Sequence, residues 1–243
     1  MGIGQEFMEK TKYQNLPEPP KHKGFSQPPL EVPFPSGSKL IDLPNPKETA
    51  LPKLDFIDLV DRRQTLRNYA DLSLSLKELS FLLWVTQGVK GIASKKVIKR
   101  TVPSAGSRHA FETYLLVNKV KGLDRGLYRY ISLQHKLCNL GAKKDIAKGI
   151  TAACLNQSHV YNSAVTFIWV AVPARTAWKY SDRAYRYIHL DAGHVCQNLY
   201  LAAEAIQCGV CAIAAFDDDA LNRVLGLDGE EMFAIYLASL GKR

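Results

Sequence analysis

The sequence predicts an α+β sandwich, and three observations carry that expectation. Helix-like and strand-like patterns are mixed without the regular alternation that builds a doubly wound parallel sheet. One helical pattern, residues 184–207, is much longer than the rest. Ten of the twelve prolines fall within residues 1–53, and only Pro103 and Pro173 lie beyond. The chain is therefore expected to have a proline-rich arm (1–53) and a folded domain (54–243), and no internal repeat is visible.

Taken in order, the arm comes first. Proline removes a backbone donor and drives its predecessor toward extended conformations. The arm should be extended and wrapped over a surface, because Leu30, Val32, Phe34, Leu40, Ile41 and Leu43 are too apolar for a solvated linker. Residues 54–67 read as a short helix. Ser75 and Glu78 form a capping box that opens a helix through Leu79, Leu82, Leu83 and Val85, with Gly88 as its stop. Residues 112–119 and 126–131 read as strands, 132–136 as a turn, 144–156 as a helix and 164–172 as a buried strand. Along 184–207, Ile188, Ala192, Val195, Leu199, Ala202, Ala203 and Ile206 recur at three- and four-residue steps. Gly209 should cap that helix. A strand at 212–216, a helix at 219–225 and a strand at 232–240 complete the reading.

Composition limits the function classes. With 243 residues the chain is long for one domain and short for two, and it can bury a core without metal or disulfide staples. The five cysteines sit in apolar surroundings, an odd number that does not suit a disulfide framework, so a reducing, cytoplasmic setting is expected. No apolar run approaches the roughly 20 residues needed to span a bilayer, so no membrane role is expected. The net charge of +9 concentrates beyond the arm, most densely at Lys90, Lys95, Lys96, Lys99 and Arg100. That excess suits an anionic ligand or a solvated loop.

Several chemistries lack their residues. There is no G-x-G-x-x-G, no P-loop and no G-x-S-x-G elbow. His189 and His194 are five apart on one helix and cannot chelate together, so they read as packing or capping residues. Cys208 and Cys211 form a lone C-x-x-C whose first cysteine would end a helix, where the dipole disfavours thiolate. With no second pair for zinc, no metal site is expected.

Three segments do carry chemistry. In Arg62-Arg63-Gln64-Thr65-Leu66-Arg67-Asn68-Tyr69, guanidinium forks four apart with a hydroxyl between them suit an anion. Arg63 and Arg67 would share a face if the helix ran through them. In Pro103-Ser104-Ala105-Gly106-Ser107, small residues let the backbone approach a flat ligand. In the aromatic and basic stretch 178–187, Lys179 and Tyr180 can serve as a proton-transfer pair.

In this order and spacing the segments resemble the FMN-dependent nitroreductase family. Arg63, Thr65, Arg67 and Tyr69 match its Arg-x-Ser-x-Arg/Lys-x-aromatic signature, with Thr for Ser. Pro103 to Gly106 match its P-S-A-G stretch, Gly126 to Tyr130 its G-L-Y-x-Y hairpin, and Arg186 to Ala203 resemble its central dimer helix. The resemblance implies a nitroreductase-like α/β sandwich with a mostly antiparallel central sheet flanked by helices, in an intertwined homodimer. It implies that Arg63, Gln64, Thr65 and Arg67 contact FMN, and that Pro103, Ser104, Ala105 and Gly106 do so from the second subunit. Ile213, Ala214 and Ala215 would offer backbone groups near flavin N5, and Lys242 or Arg243 would reach the phosphate. The Lys179-Tyr180 pair and the proline-rich arm resemble one branch, the azoline dehydrogenases, where that pair is catalytic. The implied reaction is hydride transfer between flavin N5 and a small molecule or modified peptide, with NAD(P)H as a possible electron donor. Two other readings stand beside it: a nucleic-acid-binding module using Lys90–Arg100 and 178–187, and a family fold that has lost catalysis and serves as a binding partner.

Overall fold

A computed structural model describes residues 2–94, 97–141 and 145–243. In chain order the helices are α1 (Ile3–Lys10), α2 (Phe56–Arg62), α3 (Leu76–Gln87), α4 (Ile146–Ala153), α5 (Ser158–Asn162), α6 (Pro173–Tyr180), α7 (Ala184–Ala205) and α8 (Asp218–Leu225). The strands are β1 (Leu40–Asp42), β2 (Val89–Ser94), β3 (Val97–Arg100), β4 (Phe111–Val117), β5 (Gly126–Ile131), β6 (Lys136–Asn139), β7 (Val165–Ala171), β8 (Cys208–Ile213) and β9 (Phe233–Lys242).

Seven strands form one sheet in the order β1-β6-β5-β4-β7-β9-β8, and every neighbouring pair is antiparallel. Both faces are covered. Period-two alternation divides the buried central strands between two cores. Leu115, Val117, Phe167 and Trp169 pack with Leu79, Leu82 and Leu83 of α3 and with Ile188, Val195 and Leu199 of α7. Their neighbours Tyr114, Leu116, Ile168 and Val170 pack with Ile146 and Ile150 of α4 and with Leu221 and Leu225 of α8. The expected α+β sandwich is the observed architecture.

Local signals explain several element ends. The Glu78 amide donates to Ser75 Oγ at 3.2 Å, and the Ser75 amide donates back to Glu78 Oε2 at 2.8 Å. Pro173 opens α6 at a position where no amide is needed. Other expectations fail. Helix α2 stops at Arg62, and Arg63 leaves it with extended ψ. Thr65 then bridges Val210, and the Leu66 amide donates to the Val210 carbonyl at 2.9 Å. Arg63 and Arg67 therefore share no helix face. Likewise Gly209 caps nothing. Gln207 takes the left-handed turn after α7 with φ of 57°, and Gly209 lies inside β8. A Cβ on Gly209 would fall 2.4 Å from Leu66, so glycine there admits the crossing segment. The strand expected at 212–216 begins instead at Cys208. The basic cluster contributes to the β2–β3 hairpin. Lys95, Lys96 and the expected helix start at Lys144 lie outside the described residues.

The arm begins with α1, which the proline pattern did not predict, passes a 3-10 turn at Tyr13–Asn15 and a further turn at 20–24, and continues to β1 at the sheet edge. Between α1 and β1 it crosses a buried polar cluster. The Val32 amide donates to Glu112 Oε1 at 2.9 Å, Arg175 Nε donates to the Pro29 carbonyl at 2.9 Å, and Arg129 Nη2 donates to the Val32 carbonyl at 2.9 Å. Hydrogen bonds to charged groups contribute about 1.5–3 kcal/mol each. At about 2–4 °C per kcal/mol, deleting residues 2–34 should lower the melting temperature by at least about 5 °C. An unchanged melting curve would contradict this.

His109 adds a pH dependence. Burial, reinforced by the nearby Arg100 cation, lowers its pKa from 6.5 to about 3. The neutral ring donates from Nε2 to the Ile98 carbonyl at 3.2 Å. A depressed imidazole pKa means the unfolded chain takes up the proton first. Its contribution is thus complete above pH 6.5 and declines as the pH falls toward 3. Denaturant midpoints measured between pH 7 and pH 4 should fall more steeply for the natural protein than for His109→Gln.

Candidate functional site

The sequence-predicted residues collect in two places. The first lies where α6 ends and α7 begins. Lys179 and Tyr180 are the last residues of α6, both half-buried. Against them lies the turn after Pro103. There Gly106 adopts φ of 60°, and an added Cβ would sit 2.5 Å from Tyr180 Oη and 2.9 Å from Lys179 Nζ. Only a glycine lets the backbone come this close to the Tyr180 hydroxyl and the Lys179 ammonium without strain. The turn itself is pinned. The His109 amide donates to Ser104 Oγ at 2.9 Å, and the Ala105 amide faces both oxygens of Asp191 at 3.3 Å. Burial raises the Asp191 carboxyl pKa, and bonds from Ser104 and Ala105 oppose that rise. The Tyr180 ring meets Tyr187 edge-on, with centroids 4.9 Å apart.

The second cluster lies along the segment after α2. Arg63 is half-buried with its guanidinium 5.5 Å from the Tyr200 ring centroid. Thr65 Oγ1 lies 3.2 Å from Tyr200 Oη, which accepts from the Ala212 amide at 3.0 Å. Gln64, Thr65 and Arg67 are exposed. Arg67 also bonds the buried Cys211 thiol, whose pKa is raised by burial and pulled back by that cation. Ile213 is buried, whereas Ala214 and Ala215 are exposed. Gln157 Nε2 holds the Ala215 carbonyl at 2.9 Å, and His159 Nδ1 lies 2.9 Å from Ser239 Oγ. Burial, with Arg67 nearby, lowers the His159 pKa.

The two clusters occupy different stretches of α7. Asp191 and Tyr200 are nine residues apart, about 13 Å along the axis at ~1.5 Å per residue. Lys242 and Arg243 direct their hydrogen bonds elsewhere, Lys242 to Glu78 and the Ile206 carbonyl, Arg243 to Glu204. Asp191, Tyr200, Gln157 and His159 were not singled out individually from the sequence. Their role is visible only through partners far along the chain.

Several residues of the basic and aromatic surface expected for nucleic acid are engaged within the protein, although Lys90, Lys99 and Tyr185 are exposed. Arg100 is buried and donates from Nη1 to the Gln87 carbonyl at 2.8 Å. Trp178 Nε1 donates to the Phe25 carbonyl, and Arg183 stacks 4.5 Å from the Tyr13 ring centroid. Cys208 and Cys211 are buried in a strand, with the Cys208 thiol pushed up to about 12 by burial. No helix among the described residues is long and apolar enough to cross a membrane.

The nitroreductase family model matches residues 60–242. This chain belongs to the nitroreductase family. A nitroreductase-type protein of Methanocaldococcus jannaschii is 31% identical over 199 residues, covering 81% of this chain and 96% of its own. The trifolitoxin-processing protein of Rhizobium leguminosarum bv. trifolii is 26% identical over 67% of this chain, which spans 45% of that relative. Among solved structures, a nitroreductase-type protein of Anabaena variabilis matches with TM-score 0.64 and 29% identity. That match covers 76% of this nitroreductase-family chain and 37% of the other. The Escherichia coli microcin synthetase complex with a truncated precursor peptide matches with TM-score 0.62 and 18% identity, over 98% of this chain and 86% of that one. The NADPH:FMN oxidoreductase of Vibrio harveyi shares the fold with TM-score 0.54 at 14% identity, over 76% of this chain and 66% of that one. The protein is thus a nitroreductase-family oxidoreductase.

Replacing Gly106 with alanine should cost about 1–2 kcal/mol, because its left-handed backbone disfavours a Cβ. It should also displace Tyr180. A melting curve and a crystal structure of Gly106→Ala measure both effects, and an unmoved Tyr180 hydroxyl would refute the close approach.

Proposed function

We propose that this protein is an FMN-dependent oxidoreductase working as a homodimer, and that its substrate is a thiazoline or oxazoline ring in a modified peptide. The observation that carries this reading is the convergence of Lys179 and Tyr180 on the Gly106 backbone.

The residues fit the cofactor. Arg63, Thr65 and Arg67 supply donors suited to a phosphate or an anionic heterocycle edge. Exposed Ala214, Ala215 and Gly106 leave room for a flat ring. Lys242 and Arg243 are the weaker candidates for the phosphate, since each already holds a carboxylate. A dimer axis near Gly193 would suit the two separated clusters. Helix α7 exposes Leu190 at 61%, together with His189, Gly193, His194 and Gln197. Two copies of α7 crossing antiparallel there would set the Gly106–Tyr180 cluster of one copy against the Arg63–Ala215 cluster of the other.

When bound, FMN supplies hydride chemistry at N5. The chain's own residues do the rest. The Arg67 guanidinium would stabilise negative charge on the bound ring. Lys179 or Tyr180 takes the proton that leaves the substrate as hydride departs, which converts an azoline to the aromatic azole. For a nitro or quinone substrate the same pair would give a proton, with NAD(P)H as the donor of electrons.

The purified protein should be yellow or take up FMN on reconstitution. Lys179→Ala and Tyr180→Phe should retain FMN and lower azoline oxidation by about 10²–10⁴-fold, the usual range for proton transfer. Unchanged turnover in both would remove the pair from the chemistry. Arg67→Ala should lower FMN occupancy, read from the ratio of flavin to protein absorbance.

A further inference from the structure

The exposed Ala214–Ala215 step is held at its start, middle and end. Before it, Ile213 pairs with Leu237 at the end of β8, and the Ala212 amide donates to Tyr200 Oη at 3.0 Å. After it, the Asp217 amide donates to the Ala153 carbonyl at 2.8 Å. Between these ties, Gln157 Nε2 donates to the Ala215 carbonyl at 2.9 Å. The backbone that delivers Gln157 is strained. Leu155 and Asn156, just before it, take left-handed φ values of 54° and 58°. Successive non-glycine residues in that region are uncommon, and such strain persists where surrounding contacts over-determine it.

The hydrogen bonds behind Gln157 run in one direction. Its Nε2 faces two carbonyls, Ala215 at 2.9 Å and Cys154 at 3.0 Å, so that atom must be the amide nitrogen and Oε1 the acceptor. Oε1 lies 3.2 Å from His159 Nε2, which must therefore carry the ring proton. Burial, with Arg67 nearby, lowers the His159 pKa and so favours the neutral ring. Nδ1 is then an acceptor and takes the Ser239 hydroxyl at 2.9 Å. The Tyr69 hydroxyl is shared between Ser239 Oγ at 2.8 Å and the Ser239 carbonyl at 3.0 Å. The Cys211 thiol, 4.0 Å from His159 Nε2, donates instead to the Ala212 carbonyl at 3.6 Å. One chain of donors thus leads from Tyr69, two residues past Arg67, through the buried Ser239 and His159 to the carbonyl of Ala215. A neutral network of this kind strengthens each of its bonds.

We propose that Gln157 and His159 are positioning residues for the flavin: they keep the Ala215 carbonyl bound within the protein and so withhold it from N5. The inference rests on the reading that sets Ile213, Ala214 and Ala215 beside N5. Oxidised N5 accepts a hydrogen bond, whereas reduced N5 carries a hydrogen that donates one, and such bonds tune the ring. A carbonyl withheld from N5 favours the oxidised ring, the form that takes hydride from a substrate.

The test compares the full natural chain and Gln157→Met, both loaded with FMN. Methionine keeps the length of the side chain and removes its donor. The ratio of flavin to protein should be unchanged, because Arg63, Thr65 and Arg67 are untouched. The equilibrium should shift about tenfold toward the reduced ring, a rise of about 30 mV in the two-electron midpoint potential. A Gln157 that only supports the fold would lower the melting temperature and leave the potential where it is, and that result overturns the proposal. A lowered potential overturns it as well. Independently of any variant, long-range ¹H–¹⁵N spectra of the natural protein at neutral pH should show His159 as the Nε2–H tautomer. The Nδ1–H tautomer would break the chain of donors and overturn the proposal even if Gln157→Met does not fold. A natural protein that takes up no FMN would overturn the functional reading and this proposal with it, whereas flavin uptake with an unmoved potential overturns the proposal alone.

Discussion

The buried pair between Arg175 and Glu112 organises this molecule. Both side chains are 3% exposed. Glu112 belongs to β4 in the middle of the sheet, and Arg175 belongs to α6, whose last two residues are Lys179 and Tyr180. The same two side chains also take the arm, through the Val32 amide and the Pro29 carbonyl, and Arg175 reaches the His109 carbonyl just beyond the Gly106 turn. Sheet, helix, arm and turn thus meet on one ion pair. Breaking such a pair by removing one partner typically costs about 3–5 kcal/mol, because the other charge stays buried. Three buried arginines crowd this region (Arg100, Arg129 and Arg175), so the carboxylate of Glu112 offsets a local excess of positive charge as well as aligning the elements.

From that anchor the first cluster follows. Helix α6 has eight residues and ends where the chain turns sharply into α7, with Ser181 at φ of 50°. Strain of this kind persists only where surrounding contacts over-determine it. Here those contacts are the Tyr180–Tyr187 ring pair and the Asp191 hold on Ala105. The second cluster has a different support. It rests on Leu66 and Tyr69, which fit over Gly209 and Gly241 at the end of the sheet, where the Tyr69 hydroxyl donates to the Ser239 carbonyl at 3.0 Å. The two clusters are rigid platforms on one long helix, about 13 Å apart.

The arm changes the meaning of the proline asymmetry. Its prolines do not mark a loose tail. They hold an extended strip that delivers backbone donors and acceptors to buried arginines and a carboxylate. Extended backbone suits this use because its amides and carbonyls are not consumed by helix or sheet partners.

Much of the architecture was legible from local pattern. The capping box at Ser75, the three- and four-residue periodicity of α7 and the strand-like runs at 112–119, 126–131 and 164–172 act over a few residues, and each produced the element expected. The order of Arg63, Thr65, Arg67, Pro103 to Gly106 and Lys179-Tyr180 pointed to the family. What periodicity could not decide was where the chain crosses itself. Helix α2 gives way after Arg62 because Thr65 and Leu66 find backbone partners on β8, and Gly209 is a crossing point rather than a cap for the same reason. The pairing of Gly106 with Tyr180 and the ion pair across 63 residues likewise depend on distant partners. A sequence by itself determines the local preferences and the chemical inventory. Only the tertiary structure decides which donors and acceptors meet, because a buried polar group takes its partner wherever packing brings one within reach.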